Sequence, residues 1–302
     1  MMTNFVTPPL LREGDLIAIL APASAVDAQL VNGASEALRA RGFRVEIFPT
    51  ASGRSGTYSG TLDARLNDFS SALADADVKA ILCARGGYGC VHLLTHLKPR
   101  PVWLIGFSDV SALHALWLRS GIRSIHGSMA KELALARCPG DEANSRLFEL
   151  LRTGSFAPLF WDPSPLNRLG EAGGILMGGN LAVLDGLIST PYNIIGEPGS
   201  ILFIEDVAEP VYKVERMLYR LRLNGAFERI AGLIVGQFTD YKPDSNGEPM
   251  EEMIARMTAD YSFPIAFGAP IGHVDRNLPL LQGARVTLSV TPAQAALRLA
   301  DE

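Results

Sequence analysis

The first half of the chain alternates between two hydrophobic periods. Residues 15–21 (DLIAILA) form a near-continuous apolar run that stops at Pro22. Residues 27–41 carry apolar positions at helical spacing and end before Gly42, a residue suited to a helix stop. Apolar runs at 43–48, 78–84 (VKAILCA), 102–107 (VWLIGF) and 122–125 predict further strands. Residues 61–76, 88–96 and 109–119 predict helices between them. Strands that are apolar throughout and alternate with helices predict a parallel sheet covered on both faces. Residues 1–152 are therefore expected to form one α/β domain.

The pattern changes at 153–179 (TGSFAPLFWDPSPLNRLGEAGGILMGG), which is rich in Pro and Gly and keeps no helical period. This stretch is expected to link two domains. Beyond it, 180–189 and 211–221 predict helices, and 200–204, 231–238, 265–273, 285–290 and 295–299 predict strands. Residues 180–302 are thus expected to form a second, strand-rich α+β domain. Residues 239–248 (TDYKPDSNGE) read as a polar surface loop, and no internal repeat is present.

Composition narrows the function classes. A chain of 302 residues with 48% hydrophobic composition can bury two cores. A net charge of −5 gives no global basic field, which argues against a nucleic-acid partner. An anionic small substrate would need a local cationic pocket. The first twenty residues lack a basic region followed by a long apolar run, and no other stretch is long enough to span a bilayer, so no membrane partner is expected. The three cysteines, Cys83, Cys90 and Cys138, lack zinc-ligand company, and Cys83 sits in an apolar run as a small core residue. A reducing, cytoplasmic location is the expectation.

Ligand sites in open parallel sheets lie beyond the carboxyl ends of the strands. Three segments fall there: Arg85-Gly86-Gly87-Tyr88-Gly89, Gly106-Phe107-Ser108-Asp109 and His126-Gly127. Ser108 stands between a strand and a helix start, where free N–H groups and a positive dipole end favour a developing oxyanion. The segment departs from G-x-S-x-G, because Val110 occupies the second glycine position. A helix cap by Ser108 or Asp109 is the alternative reading. The glycines permit close backbone approach to a ligand, and a plain tight turn explains them equally well.

A serine nucleophile needs a base, and the base an orienting group. Of five histidines, His92 and His96 lie one helical turn apart without a carboxylate at ligand spacing, and His114 lies within the helix after Ser108. His126, at the sheet edge, and His273, before the polar segment VDRNLPLLQG, are the two candidates for the base. Glu205 and Asp206 end the apolar run ILFI and are the carboxylate candidates, since a carboxylate leaving a buried strand must find a partner. Structural roles for Glu205, as a cap, and His273, as a packed residue, stay open on these grounds.

Taken together, GDLIAILAPAS, ARGGYG, LIGFSDVSALH, IHGSM, MGGNLAVL, LFIEDVAEPVYKVERML, LIVGQF and GAPIGH resemble, in order and separation, the LD-carboxypeptidase (muramoyltetrapeptide carboxypeptidase) family of serine peptidases. The resemblance implies Ser108 as nucleophile, His273 as base and Glu205 as its orienting carboxylate. It implies an oxyanion hole from the backbone N–H groups of Asp109 and of the glycine turn, with Gly87 preferred over Gly86. It also implies a flavodoxin-like first domain that supplies the serine and a second domain that supplies Glu205 and His273. The implied substrate is a murein peptide, cut to release terminal D-alanine, with no metal or organic cofactor. Arg85 and Arg276 are candidates for the substrate carboxylate. Ser128, where a proline is expected, and the segment LPLLQG depart from the family pattern. A homodimer is expected from its frequency among soluble proteins alone.

Two rival functions compete with this reading. A microcin C immunity-type hydrolase would cleave peptidyl or aminoacyl nucleotides and need an aromatic platform for the base. Trp103 and Trp117 read as packing residues, which leaves Trp161. A non-enzymatic small-ligand binder would use RGGYG as an anion seat, but it leaves the Glu205 and His273 segments unexplained.

Overall fold

The computed structural model describes residues 4–136, 141–243 and 247–300; Cys138 and part of the polar loop, 244–246, lie outside the described residues. The chain divides into two compact units, one of Asn4–Ser155 with Asp275–Leu281, the other of Phe156–Val274 with the chain from Gln282 onward.

The first unit is built on β1 (Leu16–Leu20), α1 (Ala28–Arg39), β2 (Arg44–Ile47), α2 (Leu62–Ala74), β3 (Val78–Cys83), β4 (Trp103–Gly106), α3 (Ser111–Arg119), β5 (Ser124–His126), α4 (Ala130–Leu135) and α5 (Glu142–Thr153). Strands β2, β1, β3, β4 and β5 lie side by side in that order, each pair parallel. This is the flavodoxin-like order, whose switch point lies between β1 and β3. The apolar runs predicted as strands are buried along their length in β1 and β4. Asp27 caps α1 by accepting from Gln29 N–H, and Thr61 caps α2 by accepting from Ala64 N–H. Trp103, Trp117 and Phe69 are fully buried beneath the helices. Burial of side chains this large stabilises the core by about 1.5–3 kcal/mol each.

The second unit holds β6 (Leu159–Trp161), β7 (Gly170–Asn180), α6 (Leu181–Asp185), β8 (Ser200–Val207), α7 (Val211–Leu223), β9 (Gly232–Thr239), α8 (Met250–Met257), β10 (Ile265–Ala266), β12 (Arg285–Val290) and β13 (Ala295–Leu299). Their sheet order is β10-β9-β8-β7-β12-β13-β6. Its β10 to β7 half is parallel, and its β7 to β6 half antiparallel.

Several segments differ from the sequence expectation. The stretch 153–179 contains β6 and most of β7. Its glycines suit a strand that neighbouring backbone approaches closely: a Cβ at Gly174 would collide with the Gly199 carbonyl, and one at Gly178 with that of Phe203. The strand expected over 265–273 is only two residues long, because Pro270 offers no N–H and Gly268 (φ 75°) and Gly272 (φ 116°) turn the backbone away. The helix expected over 88–96 is a single 3₁₀ turn, Cys90–Leu93. Finally, LPLLQG contributes β11 (Leu280–Gln282), which joins the first sheet beside β5.

Candidate active site

In the first unit the loops after β1, β3 and β4 meet at the switch point. Ser108 has φ 64°, in the left-handed region that a residue with a Cβ rarely adopts. Such a conformation costs on the order of 1–3 kcal/mol and persists only where the surroundings impose it. Here they do. Phe107 is buried against the His126 ring at 5.8 Å, and His114 holds the Gly106 carbonyl at 2.8 Å from Nε2. Neither Phe107, which precedes the 3₁₀ segment Ser108–Val110, nor Val110, which precedes α3, makes a side-chain cap hydrogen bond. The Asp109 carboxylate is instead engaged with the N–H of Cys90 at 2.8 Å, and burial raises its pKa above the usual carboxylate range.

The glycine turn is held by hydrogen bonds along its length. Ser24 N–H donates to the Gly86 carbonyl at 3.1 Å, and Ser24 Oγ accepts from Tyr88 N–H at 3.2 Å. The Gly89 carbonyl accepts from Arg65, and Cys90 N–H from above is bound to Asp109. The N–H groups of Gly86, Gly87 and Asp109 have no acceptor among the described residues. A Cβ on Gly86 would lie 3.0 Å from both Ser108 Oγ and Asp109 N, so glycine leaves that space open beside the hydroxyl. Gly87 (φ 97°) faces Ser24 instead.

In the second unit Glu205 is fully buried near the end of β8, at a register shift between Ile204 and Asp206. Such a bulge re-aims a side chain. Glu205 Oε2 accepts from His273 Nδ1 at 2.8 Å, while Oε1 is buried with no hydrogen-bond donor among the described residues. With Nδ1 donating, Nε2 is the basic nitrogen. The segment leading to His273 is pinned to β9, where Gln237 N–H donates to the Ile271 carbonyl and Gln237 Nε2 to that of Ala269. A Cβ on Gly272 would lie 3.0 Å from Glu205 Oε2, so a larger residue would crowd the pair. Asp206 accepts from Asn180 Nδ2 and Ala182 N–H, and burial pushes its carboxyl up to about 6.

Of the remaining candidates, Arg276 is paired with Glu142, with Nε 2.9 Å from Oε2. Arg85 is exposed and donates to the Ala25 carbonyl. His126 and His114 are fully buried, and burial lowers the His114 pKa to about 4. Cys83 is buried and its thiol pKa is raised. No sequence expectation assigns a role to Ser24, Arg65 or Asn180. Ser24 had a usable signal, because it follows β1 at the switch point.

The chain thus carries a strained serine beside open backbone donors in its first unit and a carboxylate-held imidazole in its second. Two profiles of known domains place it further: residues 17–127 match the LD-carboxypeptidase N-terminal domain, and 173–288 its C-terminal domain. The murein tetrapeptide carboxypeptidase of Pseudomonas aeruginosa is 31% identical over 274 residues, covering 86% of this chain and 89% of that protein. The crystal structure of muramoyltetrapeptide carboxypeptidase from Oxalobacter formigenes superposes with a TM-score of 0.85 at 27% identity, covering 95% of this chain and 99% of that one. The microcin C7 self-immunity protein shares the fold, with a TM-score of 0.87 at 19% identity over 98% of this chain and 99% of its own. The chain belongs to the LD-carboxypeptidase family and is a serine-type enzyme of that class.

Proposed function

We propose that this enzyme releases the terminal D-alanine of murein tetrapeptide during cytoplasmic recycling of the cell wall, with Ser108, His273 and Glu205 as its triad. The observation that carries the reading is the 2.8 Å bond between His273 Nδ1 and a carboxylate with no exposure to solvent. A buried carboxylate holds the imidazole in one tautomer and stabilises its protonated form. His126, the rival base, is fully buried against Phe107, a poor position for a group that must exchange protons with substrate and water.

In this mechanism Nε2 of His273 takes the Ser108 proton as Oγ attacks the peptide carbonyl carbon. The Asp109 and Gly87 N–H groups receive the oxyanion. The C–N bond then breaks, and His273 returns the proton to the leaving amine of D-alanine. Water, activated by the same imidazole, releases the acyl group and restores Ser108. Arg85 is assigned to the free carboxylate of the substrate, since Glu142 engages Arg276. Trp161 is buried with its indole N–H on the Phe267 carbonyl, so it does not offer the platform that a nucleotide base would need. A homodimer stays the expectation from its frequency among soluble proteins alone, checked by sedimentation.

The test is release of D-alanine from tetrapeptide by purified variants. Ser108→Ala should stay folded and lose about 10⁴-fold or more in kcat. Near-normal turnover would overturn the nucleophile assignment. A parallel comparison should find His273→Ala inactive; if His126→Ala is inactive and His273→Ala is not, the base is His126.

A further inference from the structure

The glycine turn is fixed from below by a cation that the reaction itself does not require. Arg65, on α2, is 3% exposed. Its Nη1 donates to the carbonyls of Pro22, at 2.9 Å, and Gly89, at 3.0 Å, and its Nη2 lies 3.3 Å from His92 Nδ1. The guanidinium also sits 4.9 Å from the centre of the Tyr58 ring. None of these partners is a carboxylate, and Nε is buried with no acceptor among the described residues. A buried cation without a counter-ion is costly, so the site calls for a reason beyond stability.

Its partners supply one. Pro22 belongs to the loop after β1 and Gly89 to the loop after β3, so one nitrogen joins the two loops that flank the switch point. Gly89 has φ 137°, and a Cβ there would lie 2.7 Å from Arg65 Nη1. Glycine therefore serves both the turn and the approach of the guanidinium. Ser24 ties the same two loops at Gly86 and Tyr88, and Asp109 ties Cys90. Arg65 completes this set and leaves the Gly87 N–H open among the described residues.

We propose that Arg65 is a positioning residue for the oxyanion donors: its Nη1, bonded to the Pro22 and Gly89 carbonyls, holds the glycine turn so that Gly87 N–H is aimed where charge develops beside Ser108. The inference rests on the assignment of Gly87 and Asp109 as those donors. Loss of one such donor lowers kcat by about 10²–10³, and a misplacement of about 1 Å can cost on the order of 10². Removal of Arg65 is expected to act on the transition state more than on ground-state binding.

The experiment compares wild type, Arg65→Ala, Arg65→Lys and Ser108→Ala with tetrapeptide as substrate and a peptidyl boronic acid as tetrahedral probe. Arg65→Ala should lose about 10- to 100-fold in kcat with KM within about threefold, and boronate affinity should fall in parallel. Arg65→Lys keeps the charge on a shorter side chain with a single nitrogen, which cannot hold both loop carbonyls and His92 from the same place, and should fall between. A kcat within about twofold of wild type, or a rise in KM alone, overturns the proposal. If Arg65→Ala lacks a melting transition, Arg65→Lys decides by the same criteria. An active Ser108→Ala would sink the site assignment itself, whereas an inactive Ser108→Ala beside a fully active Arg65→Ala sinks only the role of Arg65.

Discussion

The two halves of the proposed triad are built by different physics. On the serine side the protein uses backbone: a left-handed serine, glycines packed against it, and N–H groups left open by hydrogen bonds that engage their neighbours. On the histidine side it uses side-chain electrostatics: a carboxylate without solvent, one imidazole, and a glycine that lets them meet. The difference teaches where each half is vulnerable. Adding an atom should damage the first, and removing a charge should damage the second.

The largest effect should come from the charge. Glu205→Gln keeps the shape of the side chain but can present an amide N–H to His273 Nδ1, which favours the wrong tautomer. A drop of about 10⁴ in kcat is expected, as for the equivalent change in other triads. Stability should suffer less, because the amide fills the same buried space. If kcat falls less than about tenfold while His273→Ala is inactive, Glu205 does not orient the base.

The added atom comes next. Gly86→Ala would set a methyl 3.0 Å from both Ser108 Oγ and Asp109 N, within the space proposed for the reacting carbonyl. A loss of about 10²–10³ in kcat is expected, comparable to loss of an oxyanion donor. Gly272→Ala is the counterpart in the second unit, where the residue has φ 116° and the methyl would press on Glu205. It should lower the melting temperature as well as kcat, while Gly86→Ala should lower mainly kcat. Equal melting shifts would break the contrast. A smaller effect belongs to Arg85→Ala, expected to raise KM about tenfold with kcat nearly unchanged, as loss of uniform binding requires.

The legibility of these parts in the sequence follows the same division. The β4 run and the helix after it are local patterns, so the place of Ser108 was readable; its left-handed φ was not, because Ser-Asp before a helix reads equally well as a cap. Glu205 and His273 stand 68 residues apart, and no local pattern joins them. Their pairing entered through the family resemblance and is seen in the second unit. Arg65 was invisible, because one arginine in an amphipathic helix reads as surface. Residues 170–179 read as part of a crossing because glycine depresses strand propensity, while close backbone approach from β8 requires it. Helices α4, α5 and α8 were not predicted, although α5 buries Leu147, Phe148, Leu150 and Leu151 along one face.

The last expected effect is on stability, and it should run in opposite directions in the two units. His114 titrates near 4 in the folded chain because of burial, against an ordinary value of 6.5. Above pH 6.5 it is neutral in both states and contributes no slope. As pH falls below 6.5 the unfolded chain takes the proton first, so the first unit loses stability until about pH 4. Asp206 is raised by burial from 3.8 to about 6. It is ionised in both states above pH 6, and between 6 and 3.8 the folded chain takes the proton first, so the second unit gains stability over that window. Between pH 7 and 5 the expected changes are a loss of roughly 2 kcal/mol and a gain of roughly 1 kcal/mol. Hydrogen exchange resolved by segment, corrected for intrinsic rates, reads both. Asp109, also raised by burial, works against His114 in the first unit. The decisive quantity there is therefore wild type minus His114→Gln, which keeps hydrogen-bonding capacity and removes the titration. If that difference is flat with pH, or if Asp206→Asn leaves the slope of the second unit unchanged, these buried groups do not set the acid response of their units.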